Sequence, residues 1–370
     1  MRGRTLGVRL ADADLHARPV RSLGAEPAQS VPPCPVCGCG SARPRFEIES
    51  ERLPASEARS EAKPSEVRAP ARLVVCDRCG LGRVHPLPDA ETLRGYYPDE
   101  YYGEPGTKFQ GLVERLVRVV GSRHIGFLSR SLPRGARVLD VGCGRGVILG
   151  SLADRGFEVH GVEISAEAAR GVDPRAKIRI APRLADAGFD ADFFDEVVIW
   201  HVLEHLGDPR ETLAEARRIL RPGGRLIVAA PNFSSAQARW SGAAWFHLDL
   251  PRHLFHFPVS SLRELVRASG FEIESEHHFS LRQNPFGWIQ SALNRCPGLP
   301  RNGLYLLLHR RGPGRAPFDR STRWRLWLAL LALAPLSLAA ACLEAGLRTG
   351  ATVHLVARRS QGSTNAIPAR

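Results

Sequence analysis

Lysine is nearly missing from this 370-residue chain: it occurs only at positions 63, 108 and 177, although Lys and Arg together number 51 against 38 acidic residues. The net charge of +13 is therefore almost wholly arginine, spread along the chain with no dense basic run interleaved with aromatics. That pattern argues against nucleic acid as a partner, because a nucleic-acid face concentrates its cations. The amino terminus has Arg2 and Arg4 but no apolar core of the length a secretory signal needs, so a cytoplasmic location is expected. Tyrosine is scarce too. Four of the five fall at 96, 97, 101 and 102, where they either line a substrate mouth or join two parts of the protein. What is plentiful is apolar: 44% hydrophobic residues in a chain of this length suit one large packed domain with an accessory module, or two domains.

Of eight cysteines, four stand as Cys34-Pro35-Val36-Cys37-Gly38 and Cys76-Asp77-Arg78-Cys79-Gly80. In a reducing compartment metal binding outranks disulfides. Each pair forms a knuckle whose thiolates converge on one ion, and two knuckles complete a tetrahedral Zn2+ site of structural type. Cys39 is left over as a bystander. The spacing and composition divide the chain into a disordered arm (1–31), a zinc ribbon (32–88) with a disordered insertion (49–70), and a linker with a capping helix (89–132). A core (133–280), an apolar helical insertion (281–350) and a last strand with its tail (351–370) follow.

The core alternates: strands at 137–141, 158–163, 177–180, 196–200 and 225–230, with helices at 147–155, 166–170 and 209–220. Such alternation gives a parallel sheet covered on both faces, with ligands beyond the carboxyl ends of its strands. The first strand runs through Asp140 into Gly142, Gly144 and Gly146, a loop on which a nucleoside-bearing ligand is expected. Glu163 ends the second strand, where a carboxylate can accept hydrogen bonds from both ribose hydroxyls. His201, Glu204 and His205 open the loop after the fourth strand, and a histidine there can take a proton from a hydroxyl or carbon acid. His205 is ranked first as base and His201 second, with Glu204 orienting either.

The acid-x-G-x-G-x-G spacing of Asp140, Gly142, Gly144 and Gly146 resembles motif I of the class I S-adenosylmethionine-dependent methyltransferases. The run Asp195–His205, Pro222-Gly223-Gly224 and Ala230-Pro231-Asn232 resembles the post-I motifs of the same family. The resemblance covers about 137–279 and the last strand, and it implies an α/β fold, a Rossmann-like seven-stranded doubly wound sheet. It also implies S-adenosyl-L-methionine as cofactor, with Glu163 on its ribose, Asp140 supporting the glycine loop and the methionine end, and Asp186 beside its adenine. A zinc ribbon ahead of such a domain resembles a bacterial group associated with cell-surface polysaccharide and sugar metabolism, so a small-molecule or sugar-type acceptor is expected. An RNA, or a lipid or quinone at the membrane surface, is the alternative, and a non-catalytic scaffold comes last.

The segment Pro251–Pro258 adds His253 and His256, and resembles the His-bearing segment many of these enzymes place over the active site. A similar Glu/His set binds a divalent ion in small-RNA 2′-O-methyltransferases, but the first ligand there is Glu where this chain has His201. Hydrogen-bonded or catalytic histidines are therefore expected in place of a second metal. Finally, Leu326–Leu343 is eighteen residues without a charge, flanked by Arg323, Trp324 and Arg325. A crossing would leave the last strand on the wrong side of a membrane, and Pro335 divides the run. The expectation is a helical hairpin in the membrane interface, giving peripheral contact at the inner face through 326–343, or a buried lid.

Overall fold

The computed structural model describes residues 20–24, 26–48, 72–89, 92, 93, 96, 126–128, 130, 132–308 and 318–360. The insertion at 49–70, three of the four clustered tyrosines, most of the capping helix and the tail lie outside the described residues. Two sheets organise what is described. The first is built from β1 (Val20–Ser22), β2 (Gln29–Ser30), β3 (Ser41–Ile48), β4 (Arg72–Cys76) and β5 (Gly82–His85). It runs in the order β1-β3-β4-β5, with β2 also on β3, and all these pairings are antiparallel. The arm expected over 1–31 is thus corrected from Val20 onward. β1 and β2 pair along β3, which satisfies backbone groups that an arm would leave to water.

The second sheet carries β6 (Arg137–Val141), helix α1 (Val147–Ala153), β7 (Glu158–Glu163), β8 (Lys177–Ile180) and β9 (Phe194–Trp200). It continues through α2 (Pro209–Ile219), β10 (Leu220–Pro231) and the short helix α3 (Ala236–Ser241). β9 explains its own place. Val197, Val198 and Ile199 are β-branched and fully buried, the signature of a central parallel strand covered on both faces. α2 starts where Asp208 accepts a hydrogen bond from the Glu211 amide at 2.9 Å with Pro209 just inside, and it buries Leu213, Ala216 and Ile219 against the sheet. The helix expected at 166–170 is instead a run of turns. One helical turn followed by Gly171 and Pro174 is too short to repay nucleation.

β11 (Phe255–His256), α4 (Val259–Ala268), β12 (Phe271–His277), α5 (Asn284–Asn294), α6 (Gly303–Leu308), α7 (Arg320–Gly346) and β13 (Thr352–Arg359) complete the chain. The large sheet has the order β12-β13-β10-β9-β6-β7-β8, with β13 antiparallel to both β10 and β12 and the other pairs parallel. The last strand therefore falls where the family resemblance requires it. β11 does something the sequence does not announce: it stays out of the large sheet and pairs with β5, so Phe255 faces Arg83 and His256 faces Gly82.

The apolar insertion corrects another expectation. α7 is one continuous helix through Pro335, neither a hairpin nor a buried lid. Pro335 lies on the exposed side, so the carbonyl that loses its N–H partner turns toward solvent and the helix continues. α7 packs one face, through Leu326, against α5 and α6, where Ile289, Leu293, Leu304, Leu307 and Leu308 form a separate small core.

Candidate active site

Three backbone devices shape the loop after β6. Gly142, Gly144 and Gly146 all have positive φ, at 69°, 50° and 64°. A Cβ on Gly142 would lie 2.6 Å from the Val202 side chain and one on Gly146 2.6 Å from Val172, so these two positions exclude any side chain. At Gly146 the crowding side chain belongs to the segment after β7. A Cβ on Gly144 would meet nothing within 4 Å, and that open space is a cradle for a ligand. Glu163 braces the loop from the next strand: its two oxygens accept from the Gly144 and Ile164 amides, each at 2.8 Å. A carboxylate has lone pairs for about four hydrogen bonds, so both oxygens keep capacity for a ribose diol.

Asp140 is 4% exposed, and burial followed by the nearby charge of Glu163 pushes its carboxyl up to about 7. A sulfonium or ammonium beside it would relieve that cost, so Asp140, Gly144 and Glu163 together fit S-adenosylmethionine. Asp186, expected at the adenine, holds the Arg183 guanidinium with both oxygens at 2.8 and 2.9 Å. Each of those oxygens keeps a lone pair, so the fork leaves room for an adenine contact.

The raised Asp140 gives a pH prediction. An unfolded aspartate titrates near pH 4, so the folded protein retains a proton that the unfolded chain has lost between about pH 4 and pH 7. Stability therefore falls as pH rises through that window and stays low above it. Asp140→Asn should flatten this slope and raise the stability of the ligand-free protein by roughly 2–4 kcal/mol at pH 8. It should weaken S-adenosylmethionine binding at the same time. Thermal melts from pH 4 to 8 check it, and an unchanged slope in the variant would refute the assignment.

Beyond the carboxyl end of β9 lies a cavity of about 130 Å³. His201, Glu204, His205 and His253 line it together with Phe246 and Tyr305. Strand register places it beside the glycine loop, because Val141 pairs with Ile199 and Gly142 abuts Val202. His201 has φ 54°, a left-handed conformation that is costly for a non-glycine residue; its amide bonds Ala229 O at 2.9 Å. The strained turn aims its ring at Glu204: Nδ1 lies 3.3 Å from Oε1. Nε2 of His201 is buried with no partner among the described residues, and so is Oε2 of Glu204. Burial alone would raise the Glu204 carboxyl, but the His201 hydrogen bond, then the charges of His205 and His201, hold it down at about 2.

His205 turns elsewhere, with Nδ1 3.2 Å from Arg252 O and its ring edge-on to His253 at 4.6 Å. His253 and His247 are neutral, their pKa values pushed down to about 3 by burial first and then by neighbouring histidines. Glu204, His205 and His253 each bring one ligand atom within 4.8 Å of the others. Sequence reasoning missed His247, Phe246 and Tyr305 on the walls. Tyr305 is the single tyrosine outside the 96–102 cluster, and its distance along the chain hid it.

The four ribbon cysteines do converge. Cys34 Sγ lies 3.6 Å from Cys79 Sγ, and Cys37 Sγ 3.5 Å from Cys76 Sγ, with all four within 4.8 Å. A tetrahedron with metal–sulfur arms of about 2.3 Å has edges of about 3.8 Å, so the thiols fit zinc. Cys39 stands apart, its thiol 3.7 Å from Ser41 O. The knuckles are docked on the enzyme: Arg210 Nε donates to Pro35 O at 2.9 Å and Ser261 Oγ to Cys79 O at 2.6 Å. From β5 the path is short. The Val84 amide bonds Leu254 O at 2.9 Å, and the Leu254 amide bonds Glu204 O at 2.8 Å.

A seven-stranded sheet in this order, with an acid-led glycine loop on its first strand and a carboxylate ending its second, defines a class I S-adenosylmethionine-dependent methyltransferase. Comparison with known proteins agrees. The family model described as a methyltransferase domain matches residues 114–276. The ubiquinone biosynthesis O-methyltransferase of Maricaulis maris (strain MCS10) is 30% identical over 194 residues, 48% of this chain and 75% of that protein. The protein so named from Cereibacter sphaeroides (strain ATCC 17029 / ATH 2.4.9) is 31% identical over 188 residues, 45% of this chain and 72% of its own. Among solved structures, phosphoethanolamine N-methyltransferase 2 of Haemonchus contortus in complex with S-adenosyl-L-methionine is 16% identical, with TM-score 0.46, over 76% of this chain and 62% of that one. The chain belongs to the S-adenosylmethionine-dependent methyltransferases and is a methyltransferase enzyme.

Proposed function

We propose that the enzyme methylates a hydroxyl oxygen on a small ring-bearing acceptor, with His201 as base. The buried, unpartnered Nε2 of His201 in the cavity wall carries this reading. S-adenosylmethionine supplies, when bound, a methyl group on a sulfonium, already activated for transfer. The protein's work is to align the acceptor oxygen and remove its proton. His201 Nε2 accepts the proton while Nδ1–H donates to Glu204, which stays ionised and stabilises the imidazolium. Asp140, Gly142, Gly144, Gly146 and Glu163 bind the cofactor, and Cys34, Cys37, Cys76 and Cys79 hold a structural Zn2+. His205 becomes a wall residue that positions the His253 segment.

The cavity admits only the reacting end of an acceptor, and Phe246 and Tyr305, packed on each other at 5.7 Å, offer one aromatic wall for a flat ring. The relatives' names support an oxygen acceptor, so a phenolic, quinone-type hydroxyl is favoured, with a sugar hydroxyl second. Incubating the enzyme with a cell extract and methyl-labelled S-adenosylmethionine, followed by mass spectrometry, should yield a labelled small molecule with an aryl methyl ether. Label found only on nitrogen, on carbon or on RNA would sink the proposal.

A further inference from the structure

Among the described residues, a dense run of exposed large apolar side chains is outside the active site, on α7. Trp324, Leu328, Leu331, Leu336, Leu338 and Leu343 are between 43% and 72% exposed, although such side chains belong in cores. Between Arg325 and Glu344 the sole polar residue is Ser337, which is buried and bonded to Ala334 O. The bare face runs for about 27 Å along the helix. At its amino end Arg320, Arg323 and Arg325 are exposed and form no ion pair among the described residues. Arg320 and Arg323, in the first turn, oppose the helix dipole, which favours acids there, so helix stability does not explain them. The nearby acid, Asp319, is spent on capping the Ser321 hydroxyl and Thr322 amide.

We propose that α7 is a membrane seat: its exposed face lies in the plane of an anionic bilayer, with the three arginines on lipid phosphates and Trp324 at the headgroup level. Among the described residues α7 is the one helix long and apolar enough to cross a membrane, yet part of its circumference is already taken by protein. Leu326, Ser337, Ala341 and Glu344 are buried on its other face. Glu344 accepts from the Gln237 amide and from Trp288 Nε1, both at 2.8 Å, and β13 begins at Thr352 inside the sheet. A helix fastened so closely at its carboxyl end can sink only its free face, as interfacial helices do. A second copy of the chain fits the face less well, because no carboxylate on it answers the arginines.

Flotation of the purified full chain with phosphatidylcholine vesicles, with and without phosphatidylglycerol, tests this. The protein should float with the anionic vesicles and much less with the neutral ones. Replacing Leu328 and Leu331 with glutamate should abolish flotation while the thermal midpoint and S-adenosylmethionine affinity hold. Replacing Arg320, Arg323 and Arg325 with glutamine should lower partitioning on the order of 100-fold. No flotation of the unaltered protein, flotation indifferent to lipid charge, or a light-scattering dimer that the two glutamates split would each overturn the proposal.

Discussion

Replacing His201 with alanine should lower turnover by about 10²–10⁴-fold, the usual contribution of a positioned base, while S-adenosylmethionine affinity changes little. The distinction follows from geometry. His201 lines the cavity, whereas the groups proposed to hold the cofactor are on the loop after β6 and at the end of β7. Glu204→Gln should lose about 10–100-fold in turnover, because an amide cannot hold the Nδ1 proton as a carboxylate does or stabilise the imidazolium. His205→Ala is the informative contrast. The sequence ranks His205 first as base, yet its Nδ1 is at Arg252 O and the Glu204 pairing belongs to His201. Steady-state kinetics on the three variants decides between them: turnover kept in His201→Ala and lost in His205→Ala would move the base to His205.

Stripping the metal from the four-cysteine site should inactivate and destabilise the whole enzyme, not the ribbon alone. Cys34, Val36, Cys76 and Leu81 are packed in the same hydrophobic cluster as β9, β10 and α4. Losing the knuckles therefore opens the main core and removes the support of β11. Cys34→Ser or Cys76→Ser should cost roughly 3–5 kcal/mol and lower the melting temperature by about 10 °C. Turnover should fall with it, because Leu254 ties the ribbon sheet to Glu204. Metal analysis of the purified protein, melts with and without chelator, and turnover after zinc is restored would check it. A protein holding no zinc, with variants that melt and turn over unchanged, would refute the structural role.

How much of this was legible beforehand depends on the range of the forces involved. The glycine loop was, because positive φ and a missing Cβ are local demands that leave a residue-level mark at 142, 144 and 146. β9 was too, since a buried parallel strand is a run of β-branched residues, and β6 and β7 are marked by the short connections and the loop motif around them. β11 was not: two residues have no periodicity, and Phe255–His256 is a strand only because β5 lies beside it. The division of labour between His201 and His205 was equally hidden. Both follow the same strand, and the left-handed turn that gives Glu204 to His201 is set by the Ala229 carbonyl of a neighbouring strand. The single continuous helix over 326–343 is not legible in its composition, because a proline's effect depends on which side of the helix it faces.

The pairing of β5 with β11 also sets the order of events on the ribosome. The cysteine knuckles and β3, β4 and β5 emerge early, but the outer edge of β5 has no partner until residue 256 has been made. For that interval the nascent chain carries an open β edge, the kind of surface that recruits other chains. Any fragment ending before His256 keeps that edge permanently, and should be found in inclusion bodies even with its metal bound.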